Sequence, residues 1–491
     1  MVIVLALPMA ALAAEDGYAT SYTYTYDYWA DIRESPDAYR VEQVLYSADL
    51  GLEVPMSKPQ SLFVQGRDLY ICDTGNNRIL HTRRVGDRFA LIRVIDAVKG
   101  AQPETFNTPS DVAVDAQGNL YVCDTNNNRV VMMDAQLNFV REFLKPSDST
   151  FDQNLSFLPR RLAVDSSGRV FVLATNVNKG LVKFEADGTF TGFIGANPVT
   201  VNMWDYIWKT FFTTKAQRAQ QESFVPTEYR NIYMDEDSFI YVTNVSFSEY
   251  DLVWDVAQPI RRLNSIGNDI LVKNDHYPPI GDLQWVAESG DKGPSKFKDI
   301  TVLDNDIYIA FDRTRGRLFG YDPQGFMLWT FGSKDNSEGA FLAPIALDHM
   351  GNDLLALDEN GCSVTLFTPT EYGNLIYRAS DQYLSGDYDA SADTWREVLK
   401  LNANYTLAYV GIGRALMRQE HFEEAMEYFK MAYDRENYGR AYRYYRKEQV
   451  EKNIGWIVAA VAALLIVPPV VRSVKKMKWE VEEYERKKLA K

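Results

Sequence analysis

Through most of the chain, apolar and polar positions alternate in short runs, and the period changes only near the C-terminus. Pro59-Gln-Ser-Leu-Phe-Val leads into Leu69-Tyr-Ile-Cys-Asp-Thr-Gly-Asn-Asn-Arg-Ile79. Fifty residues on, Pro109-Ser-Asp-Val-Ala-Val-Asp leads into Leu120-Tyr-Val-Cys-Asp-Thr-Asn-Asn-Asn-Arg-Val130. Weaker copies start at Pro159, Tyr229, Lys298 and Pro344 and continue at Val170, Ile240, Ile307 and Leu354. Each copy reads as an apolar strand, an Asp/Gly turn, a second strand, a polar turn and a third strand such as Gly180–Glu185. One such sheet cannot bury both of its faces. Six packed radially can, so the pattern predicts a mainly β, six-bladed propeller over residues 59–378.

From about Ala379 the apolar spacing becomes helical. Tyr388, Ser391 and Trp395 recur 34 residues later as Phe422, Ala425 and Phe429, while Gly411, Gly413, Ala415 and Ala432 sit where helices approach closely. This predicts a helical stalk over 379–453. Ile454–Val471 then holds 18 consecutive uncharged residues, about 27 Å of helix, which predicts one transmembrane span. Trp456 suits an interfacial anchor at one end, and Pro468 and Pro469 stand at the other, where a break is tolerable. Arg472, Lys475, Lys476 and Lys478 follow the span, but Arg440, Arg443, Arg446, Lys447 and Lys452 precede it, so basic flanks alone leave the orientation open. Val2–Ala13, ending in Ala11-Leu12-Ala13, reads as a signal peptide at 1–13 and breaks the tie. The expectation is a single-pass cell-membrane protein, extracytoplasmic up to the span, with a basic cytoplasmic tail at 472–491.

Two segments fall outside the repeats. Residues 14–58 are Tyr-rich, and Tyr22, Tyr24, Tyr26 and Tyr28 give a strand with one aromatic face. That face packs on the protein itself or on a partner, or stacks on sugar rings. Residues 198–225 exceed the length of a blade connection. There Trp204, Ile207, Trp208 and Phe211 fall on one face of a helix, which either packs on the propeller or docks a partner or bilayer surface.

Composition sharpens this picture. The 491 residues carry a net charge of −15, of which the tail holds +4, leaving −19 for the rest. So acidic a chain repels nucleic acid, and no nucleic-acid partner is expected. Three cysteines exclude a disulfide scaffold. Cys72 and Cys123 share one repeat position, where Ala310 and Ala356 stand in later copies, so a small buried side chain is expected there.

Asp-Thr-Gly-Asn-Asn-Arg-Ile after Tyr-Ile-Cys resembles the NHL repeat, at Asp73–Ile79 and again at Asp124–Val130. The resemblance covers about residues 59–377, with the Asp-to-Arg motif eroded in the last four copies. Within it, Asn76, Asn77, Asn126 and Asn127 suit turn positions with φ > 0, and Arg78 and Arg129 suit ion pairs with Asp73 and Asp124. The 34-residue period resembles the tetratricopeptide repeat. Propellers similar to gluconolactonases and paraoxonases hold calcium in the central channel with oxygen ligands from several blades. The inner-strand positions here offer Ser61, Asp111, Arg161, Glu228, Asn231 and Asp299. Asp111, Glu228 and Asp299 are the candidate calcium ligands, with Arg161 an awkward neighbour for a cation. No nucleophile elbow, Cys/His ligand spacing or phosphate loop is present, so no catalytic residue is assigned.

Both repeat types most often present surfaces to other molecules. The layout resembles bacterial envelope proteins, some of them near sugar-transporter components. The first expectation is therefore a binding or scaffolding subunit without a resident cofactor, whose partners are other membrane or envelope proteins, transporter subunits among them. The alternatives are a calcium-dependent lactonase or esterase and a carbohydrate-binding propeller.

Overall fold

The computed structural model describes residues 23–27, 29, 31–175, 177, 179–196, 229–255, 257–273, 277–283 and 292–489. The signal stretch, Tyr22, Tyr28, Glu228, His276 and the 198–225 segment with Trp204, Ile207, Trp208 and Phe211 lie outside these described residues. The described residues form two compact units. One comprises residues up to Asp381 together with Glu397–Tyr405; the other comprises Gln382–Arg396 and the chain from Thr406 onward.

The first unit is a six-bladed propeller. Three N-terminal strands, β1 (Tyr24–Tyr26), β2 (Ile32–Glu34) and β3 (Tyr39–Leu45), precede the first blade. Blade 1 is β4 (Ser61–Gln65), β5 (Asp68–Asp73), β6 (Arg78–Val85) and β7 (Arg88–Ile95). Blade 2 is β8 (Pro109–Val114), β9 (Leu120–Asp124), β10 (Arg129–Met133) and β11 (Phe139–Phe143). Blade 3 is β12 (Leu158–Val164), β13 (Val170–Thr175), β14 (Leu181–Phe184) and β15 (Phe190–Ile194). Blade 4 has β16 (Asn231–Met234), β17 (Ile240–Thr243) and β18 (Ile260–Leu263), with the short helix α1 (Glu249–Val253) before β18. Blade 5 is β19 (Phe297–Val302), β20 (Tyr308–Asp312), β21 (Arg317–Tyr321) and β22 (Met327–Phe331). Blade 6 supplies β23 (Pro344–Met350), β24 (Asp353–Asp358) and β25 (Ser363–Pro369).

Blade 6 lacks a fourth strand of its own. β3 fills the place, pairing antiparallel to β25 from Val364↔Leu45 to Pro369↔Tyr39. The ring is thus closed by a strand from the segment that the repeat pattern leaves outside the blades. An outermost strand carries none of the turn motif, which is why the repeat spacing does not reveal it. β1 extends the outer edge of blade 5 through Tyr24↔Thr330, with β2 beyond it. Tyr24 is fully buried, and the hydroxyls of Tyr24 and Tyr26 donate to Asp282 Oδ1 at 2.6 and 2.5 Å. These two rings pack on the protein itself rather than offering a sugar platform.

The core lies between blades. Cys72, Ile79, Val112 and Val122 join blades 1 and 2, Val130, Phe157, Val172 and Phe184 join blades 2 and 3, and Leu45, Leu62, Ile71 and Leu355 join blades 6 and 1. Cys72 and Cys123 are free, buried thiols. The register corrects their repeat position. Cys72 stands opposite Ser61 and Cys123 opposite Asp111, and the matching residues in blades 5 and 6 are Phe311 and Leu357, not Ala310 and Ala356. No small side chain is required there, because the space between blades accommodates different volumes.

The Asp-to-Arg turns repeat one construction. Arg78 Nε donates to Asp73 Oδ2 at 2.7 Å, and the buried Arg129 Nε to Asp124 Oδ2 at 2.9 Å. The second oxygen of each Asp accepts the N–H of Ser57 or Asn107 at 2.7 Å, tying down the loop that leads into the inner strand. The left-handed residues are Asn77 (φ 54°) and Asn128 (φ 57°). Asn76 and Asn127 instead donate side-chain N–H groups to Asp73 and Asp124, so in the second copy the left-handed position falls one residue later than expected.

After β25 come α2 (Glu371–Leu384), α3 (Tyr388–Leu401), α4 (Thr406–Arg418), α5 (Phe422–Met431) and α6 (Arg435–Leu489). In the second unit, Trp395 and Phe429 are buried against glycines of α4. A Cβ added at Gly411 would lie 2.5 Å from Trp395 Nε1, and one at Gly413 would lie 2.7 Å from Phe429 Cε1. α6 runs unbroken for 55 residues, about 80 Å, through Pro468 and Pro469 rather than breaking there. Beyond the prolines it is laced by i,i+4 pairs such as Lys487–Glu483 at 2.8 Å. It is long and apolar enough to cross a membrane, and none of its apolar window, including the half-exposed Ile454 and the exposed Trp456, is buried inside the protein. Overpacking costs about 1–3 kcal/mol, so G411A and G413A should each destabilise the helical unit by that amount in chemical denaturation. G439A, whose Cβ meets nothing within 4 Å, should be neutral or stabilising by up to about 1 kcal/mol.

Candidate functional site

All six inner strands begin alike. In blades 2, 3, 5 and 6 the pairing register shifts by one residue around Ser110, Arg160, Lys298 and Ile345. Gln60 and Arg230 take the same place in blades 1 and 4, donating their N–H to Cys72 O (3.1 Å) and Thr243 O (2.7 Å), the residues that Ser61 and Asn231 pair with. A bulge of this kind bends a strand and re-aims its side chains, often at a barrel rim. One bulge per blade yields two stacked rings at one end of the channel. The outer ring is Gln60, Ser110, Arg160, Arg230, Lys298 and Ile345. The inner ring is Ser61, Asp111, Arg161, Asn231, Asp299 and Ala346.

The inner ring contains the expected candidates except Glu228, and the structure shows how its carboxylates are used. Asp111 Oδ2 accepts the N–H of Leu162 in the next blade at 2.8 Å, while Oδ1 accepts the Ser61 hydroxyl from the previous one. Asp299 repeats this with the Leu347 N–H at 2.9 Å, the Ile300 N–H at 2.7 Å and the Asn231 amide. One layer down, Asp348 accepts the Val64 N–H at 2.7 Å and the Thr301 hydroxyl at 3.2 Å. Arg161 reaches across blades: its guanidinium donates to Gln60 O (2.9 Å) and Ser110 O (3.2 Å) and lies 3.4 Å from Asp111. Both oxygens of Asp111 and Asp299 thus face N–H or O–H donors. Among the described residues no group of three or more His, Cys, Asp or Glu side chains is disposed to hold a metal ion.

Burial dominates the electrostatics. It raises the carboxyl of Asp111 and pushes Asp299 up to about 7, with Arg161 opposing the shift in both cases. Lys298, only 5% exposed, is pushed down to about 6, first by burial and then by Arg230, Arg161, Arg313 and Arg160. Arg313 belongs to the same end, its N–H donating to Lys296 O at 3.0 Å. The channel cavity of about 660 Å³ runs from Asp111, Arg161 and Asp299 to a far mouth lined by Asp235, Glu236, Asp237, Asp304 and Asp306. Along β16 that is a distance of about 13 Å. The described cations Arg160, Arg161, Arg230 and Lys298 thus gather at the bulged end, while at the far mouth Arg262 pairs with Asp235 at 3.0 Å and Asp306 at 3.4 Å.

The inner ring follows from the repeat alignment. The outer ring precedes it by one residue, and its signal in the sequence is Arg160, Arg230 and Lys298 at the same position of three successive copies. The described histidines lie outside these two rings. His81 stacks on Tyr70 and contacts Asp68 (3.0 Å), His349 meets Thr301 Oγ1 (2.7 Å) in the channel, and His421 precedes α5.

An NHL repeat model matches residues 106–131, which run from the loop before blade 2 into β10. No curated protein matches the sequence. Among solved structures, a streptogramin B lyase aligns at 12% identity over 67% of this chain and 98% of its own, with a TM-score of 0.39. A Bacteroides thetaiotaomicron protein of unknown function aligns at 10% identity over 72% and 77%, with a TM-score of 0.42. A candidate gluconolactonase aligns at 10% identity over 68% and 94%, with a TM-score of 0.39. The chain is thus a six-bladed propeller carrying an NHL repeat, and likenesses at these scores say nothing about its chemistry.

A buried amine with a lowered pKa makes folding pH-dependent. The unfolded state binds the proton up to about 10.5 and the folded state only up to about 6, so the Lys298 penalty is full below pH 6 and fades as pH rises to 10.5. Lys298→Met should therefore raise the melting temperature most at pH 6 and least near pH 10, as thermal unfolding across that range would read.

Proposed function

We propose that this chain is a single-pass, membrane-anchored binding protein. Its propeller and tetratricopeptide-like helices stand on the extracytoplasmic side and engage other membrane or envelope proteins, with transporter subunits as the partner class. The observation that carries this reading is the apolar window of α6, which is long enough to cross a bilayer and has no burial among the described residues. The buried Trp395 and Phe429, 34 residues apart and each seated on a glycine, support the repeat character of the helices. Binding is favoured over hydrolysis because Asp111 and Asp299 spend their oxygens on blade-to-blade hydrogen bonds. In this reading the 198–225 segment docks the partner through Trp204, Ile207, Trp208 and Phe211, as clustered Trp and Phe suit interface anchors.

Full-length protein should stay with membranes through an alkaline wash, and a chain ending at residue 453 should be released. Retention of the shortened chain contradicts the anchor. Purified in mild detergent, the full-length protein should carry a membrane partner. W204A combined with W208A should lose that partner at unchanged melting temperature, whereas an intact complex contradicts the docking segment.

A further inference from the structure

Basic residues stand on both sides of the apolar window of α6, but the two flanks are built differently. The seven residues after Val471 include Arg472, Lys475, Lys476 and Lys478 and no acid, whereas the next seven, 479–485, hold four acids and no cation. At 1.5 Å per residue the cations lie within about 10 Å of the end of the window, and the acids begin at about 14 Å. Lys476 reaches Glu480 only at 3.9 Å, while the exposed Arg472, Lys475 and Lys478 have no ion-pair partner among the described residues. Spaced three apart, these last three share one side of the helix.

The seven residues before Ile454 carry two cations and two acids, and each cation is spent on an acid one turn away. Lys447 Nζ lies 3.7 Å from Glu451, and Lys452 Nζ lies 2.5 Å from Glu448. Arg446 and Arg443 are farther off, about 12 and 17 Å before Ile454. Side-chain direction widens the difference. Every Cα–Cβ bond of a helix leans toward its N-terminus, so side chains after the window lean back to a bilayer and those before it lean away.

We propose that the C-terminal flank binds the headgroup phosphates of anionic phospholipids through Arg472, Lys475 and Lys478, and that the N-terminal flank has no such preference. This binding presupposes that α6 crosses a bilayer, as proposed above. Headgroups occupy about 5–8 Å on each side of the hydrocarbon core, the depth at which these three cations stand and the acids do not. Ammonium and guanidinium donors bond phosphate oxygens strongly, and a cation beside an anionic leaflet is worth about fivefold in binding. The span thereby gains a direction that a bare count of basic residues leaves open.

The test places full-length protein in phosphatidylcholine vesicles that hold either spin-labelled phosphatidylglycerol or spin-labelled phosphatidylcholine. The fraction of motionally restricted label gives the relative affinity of the two lipids. Wild type should hold the anionic lipid at least fivefold more strongly, and should lose most of that preference in about 1 M salt. Arg472→Gln, Lys475→Gln and Lys478→Gln combined should abolish the preference, whereas Arg443→Gln with Arg446→Gln should leave it unchanged. Equal affinity for both lipids in wild type, a preference that survives the triple change, or its loss in the Arg443/Arg446 double change overturns the proposal. Flotation of the vesicles after an alkaline wash separates the two readings. Protein that fails to float overturns the anchor and this proposal together, and protein that floats without a lipid preference overturns this proposal alone.

Discussion

A propeller sheet has two apolar faces and must be gripped on both sides, so every blade depends on the hold of the next. Here that hold is a carboxylate accepting a main-chain N–H across the blade boundary, from Asp111 to Leu162, from Asp299 to Leu347 and from Asp348 to Val64. Carboxylate acceptors form the stronger class of hydrogen bond, and the low local dielectric makes an unmade one expensive. Burial raises the protonation points of Asp111 and Asp299 without removing their partners. Blade closure by β3 on β25 completes the ring that these contacts hold in register.

The same geometry redirects the chemistry of the channel. Asp111 and Asp299, two of the three carboxylates that read as calcium ligands, accept main-chain N–H groups from the next blade, and the Arg161 guanidinium lies 3.4 Å from Asp111. One bulge per blade turns a β-strand irregularity into a ring, and three successive positions of that ring carry Arg160, Arg230 and Lys298. Asp235, Glu236, Asp237, Asp304 and Asp306 line the far mouth, two of them paired with Arg262.

The propeller was legible because its inner strands and Asp-to-Arg turns recur with the same residues, as at Asp73–Arg78 and Asp124–Arg129. The helical period of Trp395 and Phe429 and the apolar run from Ile454 were legible for the same reason: burial or a bilayer imposes a repeat on sequence. The closing strand was not, because β3 lies at the sheet's outer edge and alternates burial without a turn motif. The roles of Asp111 and Asp299 were not legible either, since a carboxylate's type and position do not say whether it faces a cation or a neighbouring N–H. The bulge ring was hidden by a single residue of offset, which pairing register shows and repeat alignment does not.

The central claim is that the channel carboxylates are structural acceptors, and the amides they hold report on it directly. Hydrogen exchange at the Leu162, Leu347 and Val64 N–H groups should occur only with global unfolding and should be unchanged by millimolar calcium. Rapid exchange at these amides, or calcium-dependent loss of their protection, would show that the carboxylates serve a cation instead, and would contradict the account.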